Sequence, residues 1–233
     1  MDTIRIRISS KGGVLYEVCK TFYLLIIIFS KLDVNALLIC GGFRFFPDGT
    51  QVTSNECYIL NKYSSRLFAT MSKKRGYAAS LITNENNLWV TGGAEYEDFE
   101  YDDIFSSTEY ILENGESIEG PKLPIGLAAH TVIGINSTFS MFVGGNNPLS
   151  LGTDKTYYFD NYNQVWFDGP RLNFPRSFHG SGIVTDLITR ERLVIVTGGQ
   201  SYDDDFIMTE YSSTEILIDG AWVLGNKRQE YLH

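Results

Sequence analysis

Apolar and polar positions along the chain fall into a pattern that recurs about every fifty residues. Four apolar runs, at 36–42, 88–93, 140–145 and 194–199, each stop at a double glycine. Their first glycines, Gly41, Gly92, Gly144 and Gly198, lie 51, 52 and 54 residues apart. A second marker keeps step. Cys57-Tyr58-Ile59-Leu60 returns as Glu109-Tyr110-Ile111-Leu112 after 52 residues, and Ser106-Ser107-Thr108-Glu109 returns as Ser212-Ser213-Thr214-Glu215 after 106. A fixed period of this length marks a stacked-repeat architecture. Each period reads as four short strands with no stretch of helical spacing. A unit of that size buries its apolar faces only against its neighbours, so the units must stack.

The double glycines Gly41-Gly42, Gly92-Gly93, Gly144-Gly145 and Gly198-Gly199 allow positive φ and close backbone approach where units converge. Trp166 and Trp222, about twenty residues after their glycine pairs, offer broad side chains to fill the wedge between sheets. The run Phe22–Phe29 is too short to span a bilayer as a helix and reads as a buried strand. Ile4-Arg5-Ile6-Arg7-Ile8 alternates as an edge strand would.

Charge narrows the function. The chain of 233 residues carries 28 acidic and 19 basic side chains, a net −9, which argues against nucleic acid or an anionic membrane as partner. Cys19, Cys40 and Cys57 show no metal-ligand spacing and sit in apolar surroundings. They read as reduced core residues, which favours a cytoplasmic location. One sequon, Asn136-Ser137-Thr138, matters only if the chain is secreted.

These motifs resemble the kelch repeat, in which a double glycine follows an apolar strand, a Tyr or Phe precedes a Trp by seven residues, and an Arg precedes a His by three. The third unit matches best, with Gly144-Gly145, Phe159 before Trp166, and Arg176 before His179. Arg75 is kept where Ala78 replaces the His, and His130 is kept where Leu127 replaces the Arg. Ile118 and Leu67 stand where Trp is usual. The resemblance covers about residues 21–225 and implies an all-β fold. That fold is a kelch-type β-propeller with four recognisable four-stranded blades at about 21–70, 75–120, 127–170 and 176–225, between an extension at 1–20 and a tail at 226–233. Because such propellers have five to seven blades, four imply an incomplete or open ring.

Catalytic signatures are scarce. His130 and His179 occupy equivalent positions, which points to packing and hydrogen bonding within the repeat. His179-Gly180-Ser181-Gly182 lacks the spacing and the following helix of a nucleophile turn. Some kelch-type propellers are copper enzymes with Tyr and His ligands, and no such set can be placed here. The sequence therefore points to no cofactor, no metal and no enzyme activity. Two acidic stretches follow glycine pairs: Glu95, Tyr96, Glu97, Asp98, Glu100, Tyr101, Asp102 and Asp103 in one, and Tyr202, Asp203, Asp204 and Asp205 in the other. Either could be a solvated loop. The interleaved aromatics favour a binding surface instead, a shared negative rim for a basic protein partner. The expected function is a non-enzymatic interaction module or scaffold. The rival is a secreted propeller that binds carbohydrate or has oxidase-like activity.

Overall fold

The computed structural model describes residues 26–27, 37–46, 50–61, 63–97, 100–187 and 189–225. The expected strand at 4–8, Cys19, the 1–20 extension and the 226–233 tail lie outside them. Among the described residues the chain is all-β, without a helix, and none is long and apolar enough to cross a membrane.

Four antiparallel sheets of four strands carry the repeat, each with its strands side by side in chain order. Unit 1 comprises Ile26–Ile27, Leu37–Cys40, Glu56–Leu60 and Ser65–Thr70. Unit 2 comprises Ala79–Ile82, Leu88–Thr91, Thr108–Ile111 and Ser117–Glu119. Unit 3 comprises Thr131–Gly134, Phe139–Val143, Thr156–Asp160 and Val165–Asp168. Unit 4 comprises Gly180–Thr185, Arg192–Thr197, Thr214–Ile218 and Ala221–Leu224. Every double glycine follows the second strand of its unit, as the sequence pattern requires.

The second strands of units 2 and 3 are almost continuously apolar because both of their faces are covered. Positions one and three before the first glycine face the next unit, and positions two and four before it face the previous one. Leu38 and Cys40 of unit 1 thus meet Leu88 and Val90 of unit 2. Trp89 of unit 2 meets Phe142 of unit 3, and Met141 and Val143 of unit 3 meet Val194 and Val196 of unit 4. Trp166 packs beside the Trp89–Phe142 cluster, and Trp222 is buried in the core between units 3 and 4. Strand alternation thus turns one chain into three inter-sheet cores.

The ladders correct one spacing. Cys40 pairs with Cys57, Thr91 with Thr108, Val143 with Thr156, and Thr197 with Thr214. Cys57 is therefore the counterpart of Thr108, not of Glu109, and the 51-residue glycine spacing carries through the third strand. A bulge at Cys57/Tyr58 shifts the pairing with the fourth strand at the same point. The facing positions of Cys40 and Cys57, with Cα atoms 4.0 Å apart, also overturn the expectation of reduced cysteines. The two form a disulfide inside the core between units 1 and 2. The free-thiol argument for a cytoplasmic location falls with it.

Close approach at the glycines joins consecutive units. A Cβ on Gly92 would lie 2.1 Å from the Leu127 carbonyl oxygen, and one on Gly144 would lie 2.4 Å from that of Arg176. Both glycines have positive φ. The second glycine of each of the first three pairs then donates to the linker carbonyl: Gly42 to Arg75, Gly93 to Leu127 and Gly145 to Arg176, each at 2.8 Å.

Two of these linkers hold a buried arginine. Arg75 donates to the carbonyls of Gly92 (2.7 Å) and Ser107 (2.9 Å), to the Ser107 hydroxyl and to Glu109. Its guanidinium stacks 5.3 Å from the Phe105 ring. Arg176 repeats this with Gly198, Ser213, Glu215 and the Tyr211 ring. The recurring Ser-Ser-Thr-Glu is thus the receptor for an arginine. Burial pushes the Glu109 carboxyl up, but the Ser72 N–H, the Ser117 hydroxyl and Arg75 outweigh it and hold the group below the usual range, so the pair is ionised. Unit 3 solves the same junction without charge. Leu127 replaces the arginine, Tyr157 stands where Glu109 and Glu215 stand, and both are buried in one apolar cluster.

Removing one member of a buried ion pair strands the other charge, at a cost of about 3–5 kcal/mol, whereas replacing both with apolar groups is often neutral. Arg75→Leu should lower stability in urea unfolding by that order. Arg75→Leu combined with Glu109→Tyr, which copies the unit 3 junction, should recover most of the loss.

Candidate functional site: a rim of hairpins at the double-glycine end

Leaving each glycine pair, the chain turns out of the sheet and returns to it at the third strand. The excursions are built segments. In unit 1, Phe43–Phe45 pairs with Gln51–Thr53. In unit 2, Ala94–Glu97 pairs with Glu100–Ile104. The two hairpins join through Val52 and Glu97 into a further four-stranded sheet, and the Tyr96 N–H donates to the Thr53 hydroxyl. In unit 4, Gln200–Tyr202 pairs with Met208–Glu210, and the Tyr202 N–H donates to the Leu151 carbonyl of the unit 3 excursion at 2.8 Å. The excursions are thus coupled in pairs, units 1 with 2 and units 3 with 4.

The expected acidic loops therefore prove to be hairpins, because aromatic and β-branched residues beside the carboxylates give them strand partners. Glu95 forms an ion pair with Lys74 at 3.6 Å. The Tyr96 ring packs edge-on to Phe43 at 5.9 Å. Glu97, Glu100, Tyr101 and Asp102 lie in the paired strands, Asp103 is exposed, and Asp98 lies outside the described residues.

Beside Tyr202, Asp203 spends one carboxylate oxygen on its own turn, accepting the N–H groups of Asp205 (3.0 Å) and Ile207 (2.9 Å). Asp204 and Asp205 are exposed, as are Phe206, at 75%, and Ile207. The two acidic segments share one end of the sheets but belong to different hairpin pairs.

The sequence reading missed the residues beneath this rim. Tyr77, Ala129 and Phe178 lead into units 2, 3 and 4, all with φ between +53° and +56°. The Ala129 N–H donates to the Tyr77 carbonyl (2.8 Å) and the Phe178 N–H to the Ala129 carbonyl (3.0 Å). Left-handed backbone at three non-glycine residues is held only where the surroundings dictate it. The Tyr77 ring meets Phe178 at 5.1 Å and Phe43 at 4.7 Å, so the unit 1 hairpin and the approaches to units 2 and 4 converge on one aromatic cluster. The available signal was position, since each residue stands directly before Ala78, His130 or His179.

Those histidines reach across units instead of staying within their own. His130 Nε2 lies 3.0 Å from the Thr91 hydroxyl of unit 2, and His179 Nε2 lies 3.0 Å from the Thr131 hydroxyl of unit 3. The Nδ1 atoms of both are buried without a partner. Burial pulls His130 down to about 3, with the neighbouring His179 adding to it. Burial and the Arg176 charge pull His179 down to about 4. Both are neutral fasteners. Among the described residues no group of three or more His, Cys, Asp or Glu side chains could hold a metal ion.

No protein-family model and no curated protein matches the chain. The solved structure of YjhT is similar over 78% of this chain, with a TM-score of 0.64 and 13% identity. This chain spans 65% of the length of that one. At that identity the likeness concerns the fold alone, and together with the stacked four-stranded sheets it makes the architecture propeller-like.

The histidines make the fold acid-sensitive above the carboxylate range. Their folded pKa values lie below the ordinary 6.5, so between about pH 4 and 6.5 the unfolded chain binds the protons first. Their contribution is complete above pH 6.5 and is lost as pH falls, with a slope of up to about 1.4 kcal/mol per pH unit for each histidine. Urea unfolding from pH 7 to 4.5 should show that slope. His130→Asn and His179→Asn should each flatten it, whatever their absolute stability.

Proposed function

We propose that this chain is a kelch-type β-propeller protein with four recognisable blades and acts without catalysis, presenting the hairpins of its double-glycine end to a basic protein partner. The observation that carries this reading is the unit 4 turn. There Asp203 fixes the backbone, which leaves the carboxylates of Asp204 and Asp205 and the side chains of Phe206 and Ile207 directed at solvent. Apolar side chains set among charges at a rigid turn are the composition of a binding patch. The repeat spacing and the arginine receptors at Glu109 and Glu215 support the kelch assignment.

Negative potential at such a rim accelerates encounter with a cationic partner and is screened beyond about 8–10 Å at physiological salt. The combined variant Asp103→Asn, Asp204→Asn, Asp205→Asn leaves the Asp203 turn intact and should unfold like the parent. Against the partner recovered by pull-down from native extract, it should bind with a slower on-rate and a weaker salt dependence. Equal on-rates for variant and parent would show that these carboxylates serve solubility alone.

A further inference from the structure

The turn between the first two strands of unit 3 carries Asn136-Ser137-Thr138, and all three residues are exposed. Asn136 Oδ1 accepts the N–H groups of Thr138 and Phe139, both at 2.8 Å, which ties the oxygen inward and leaves the amide nitrogen to face outward. The backbone of the turn is fixed from both sides. Asn84 of unit 2 donates to the Ser137 carbonyl (2.6 Å), and the Asn161 N–H donates to the Thr138 carbonyl (2.7 Å). A bulky addition to the Asn136 nitrogen therefore disturbs no contact that holds the turn.

Two further observations point the same way. Disulfides such as Cys40–Cys57 form and persist chiefly in oxidising compartments, the setting in which such a sequon is read. Asn136 also stands at the edge of a cleft of about 970 Å³ between units 2 and 3, at the end of the sheets opposite the hairpin rim. That cleft is lined by side-chain amides, Asn84, Asn161 and Gln164 among them, with the Tyr110 ring and the carboxylates of Glu85 and Glu113. Neutral amides and carboxylates suit the hydroxyl and acetamido groups of an uncharged sugar, and among the described residues no cationic side chain lines the cleft to favour an anionic ligand.

We propose that Asn136 is the attachment site of an N-linked glycan whose first sugars lie in the cleft between units 2 and 3. The Asn136 nitrogen forms a bond to the anomeric carbon of an N-acetylglucosamine carried on a lipid pyrophosphate. The bond from that carbon to the pyrophosphate oxygen breaks, the amide releases one proton, and the lipid pyrophosphate leaves.

The test is to express the full chain behind a secretion leader in insect cells and to read its intact mass before and after peptide-N-glycosidase. The glycan mass should be present, should be removed by the enzyme, and should be lost in Thr138→Ala. That variant keeps the turn, because only the backbone N–H and carbonyl of Thr138 serve it. Thr138→Ser should retain the glycan. Hydrogen exchange in the turns at 83–87 and 161–164 should be slower in the glycosylated parent than in Thr138→Ala. An unmodified Asn136 in the protein recovered from the medium, or from microsomes if it is retained, overturns the site. A glycan that leaves exchange in both turns unchanged overturns its seat in the cleft.

Discussion

A small sheet with two apolar faces has no stable existence by itself, and the whole molecule rests on how tightly one such sheet can be brought to the next. The distance is set where the second strand ends. At Gly92 and Gly144 the incoming linker carbonyl lies so close that any side chain would collide with it. The following glycine then donates a hydrogen bond to that same oxygen. Once this contact is made, the alternation of side chains brings Leu38, Trp89 and Met141 against the neighbouring unit without further instruction.

The linkers show how differently one junction can be made. Arg75 and Arg176 bind carbonyls at the ends of the second and third strands, and each balances its charge on a buried glutamate. Leu127 and Tyr157 fill the equivalent volume with apolar atoms. An arginine is exacting in geometry and intolerant of a missing partner, whereas an apolar filling is forgiving in both respects. The charged junctions therefore fix the register of units 2 and 4 more stringently than the apolar one fixes unit 3. Their linkers also feed the hairpin rim, since Ser177 bridges to Gln200 and Gly76 to Ala94. The position of the exposed carboxylates is thus set by contacts buried well beneath them.

Much of the scaffold was legible because it depends on local and periodic features. The double glycines, the apolar runs and the two tryptophans each declare themselves by residue type and spacing. The features that stayed hidden depend on pairing between distant segments. Cys40 and Cys57 are opposite one another only once the register is known, and a one-residue error in aligning the third strand conceals it. Ser-Ser-Thr-Glu was visible as a repeat, but its purpose appears only when Arg75 arrives from the preceding linker. The acidic stretches read as loops because charge masks strand propensity. Each pairs with itself across its own turn, and the first is extended by a neighbouring hairpin through Val52 and Glu97. Tyr77 and Phe178 gave no sign beyond their position before Ala78 and His179, since left-handed backbone at an aromatic residue is imposed by packing and not encoded by preference.

The disulfide adds a topological property to the rim. Cys40 and Cys57 close a covalent loop with a sequence separation of 17, and that loop contains the whole unit 1 hairpin with its strands Phe43–Phe45 and Gln51–Thr53. A protease that cuts between the two cysteines breaks the backbone but separates nothing, because both new ends stay tethered within the core between units 1 and 2. The unit 4 hairpin has no such tether: Gln200–Tyr202 and Met208–Glu210 are held by hydrogen bonds to each other, by the Ser177–Gln200 bridge and by the Tyr202 N–H to Leu151. The two ends of the rim therefore differ in how they survive damage, with the first remaining part of one covalent molecule after a nick that would leave the last held by non-covalent contacts alone.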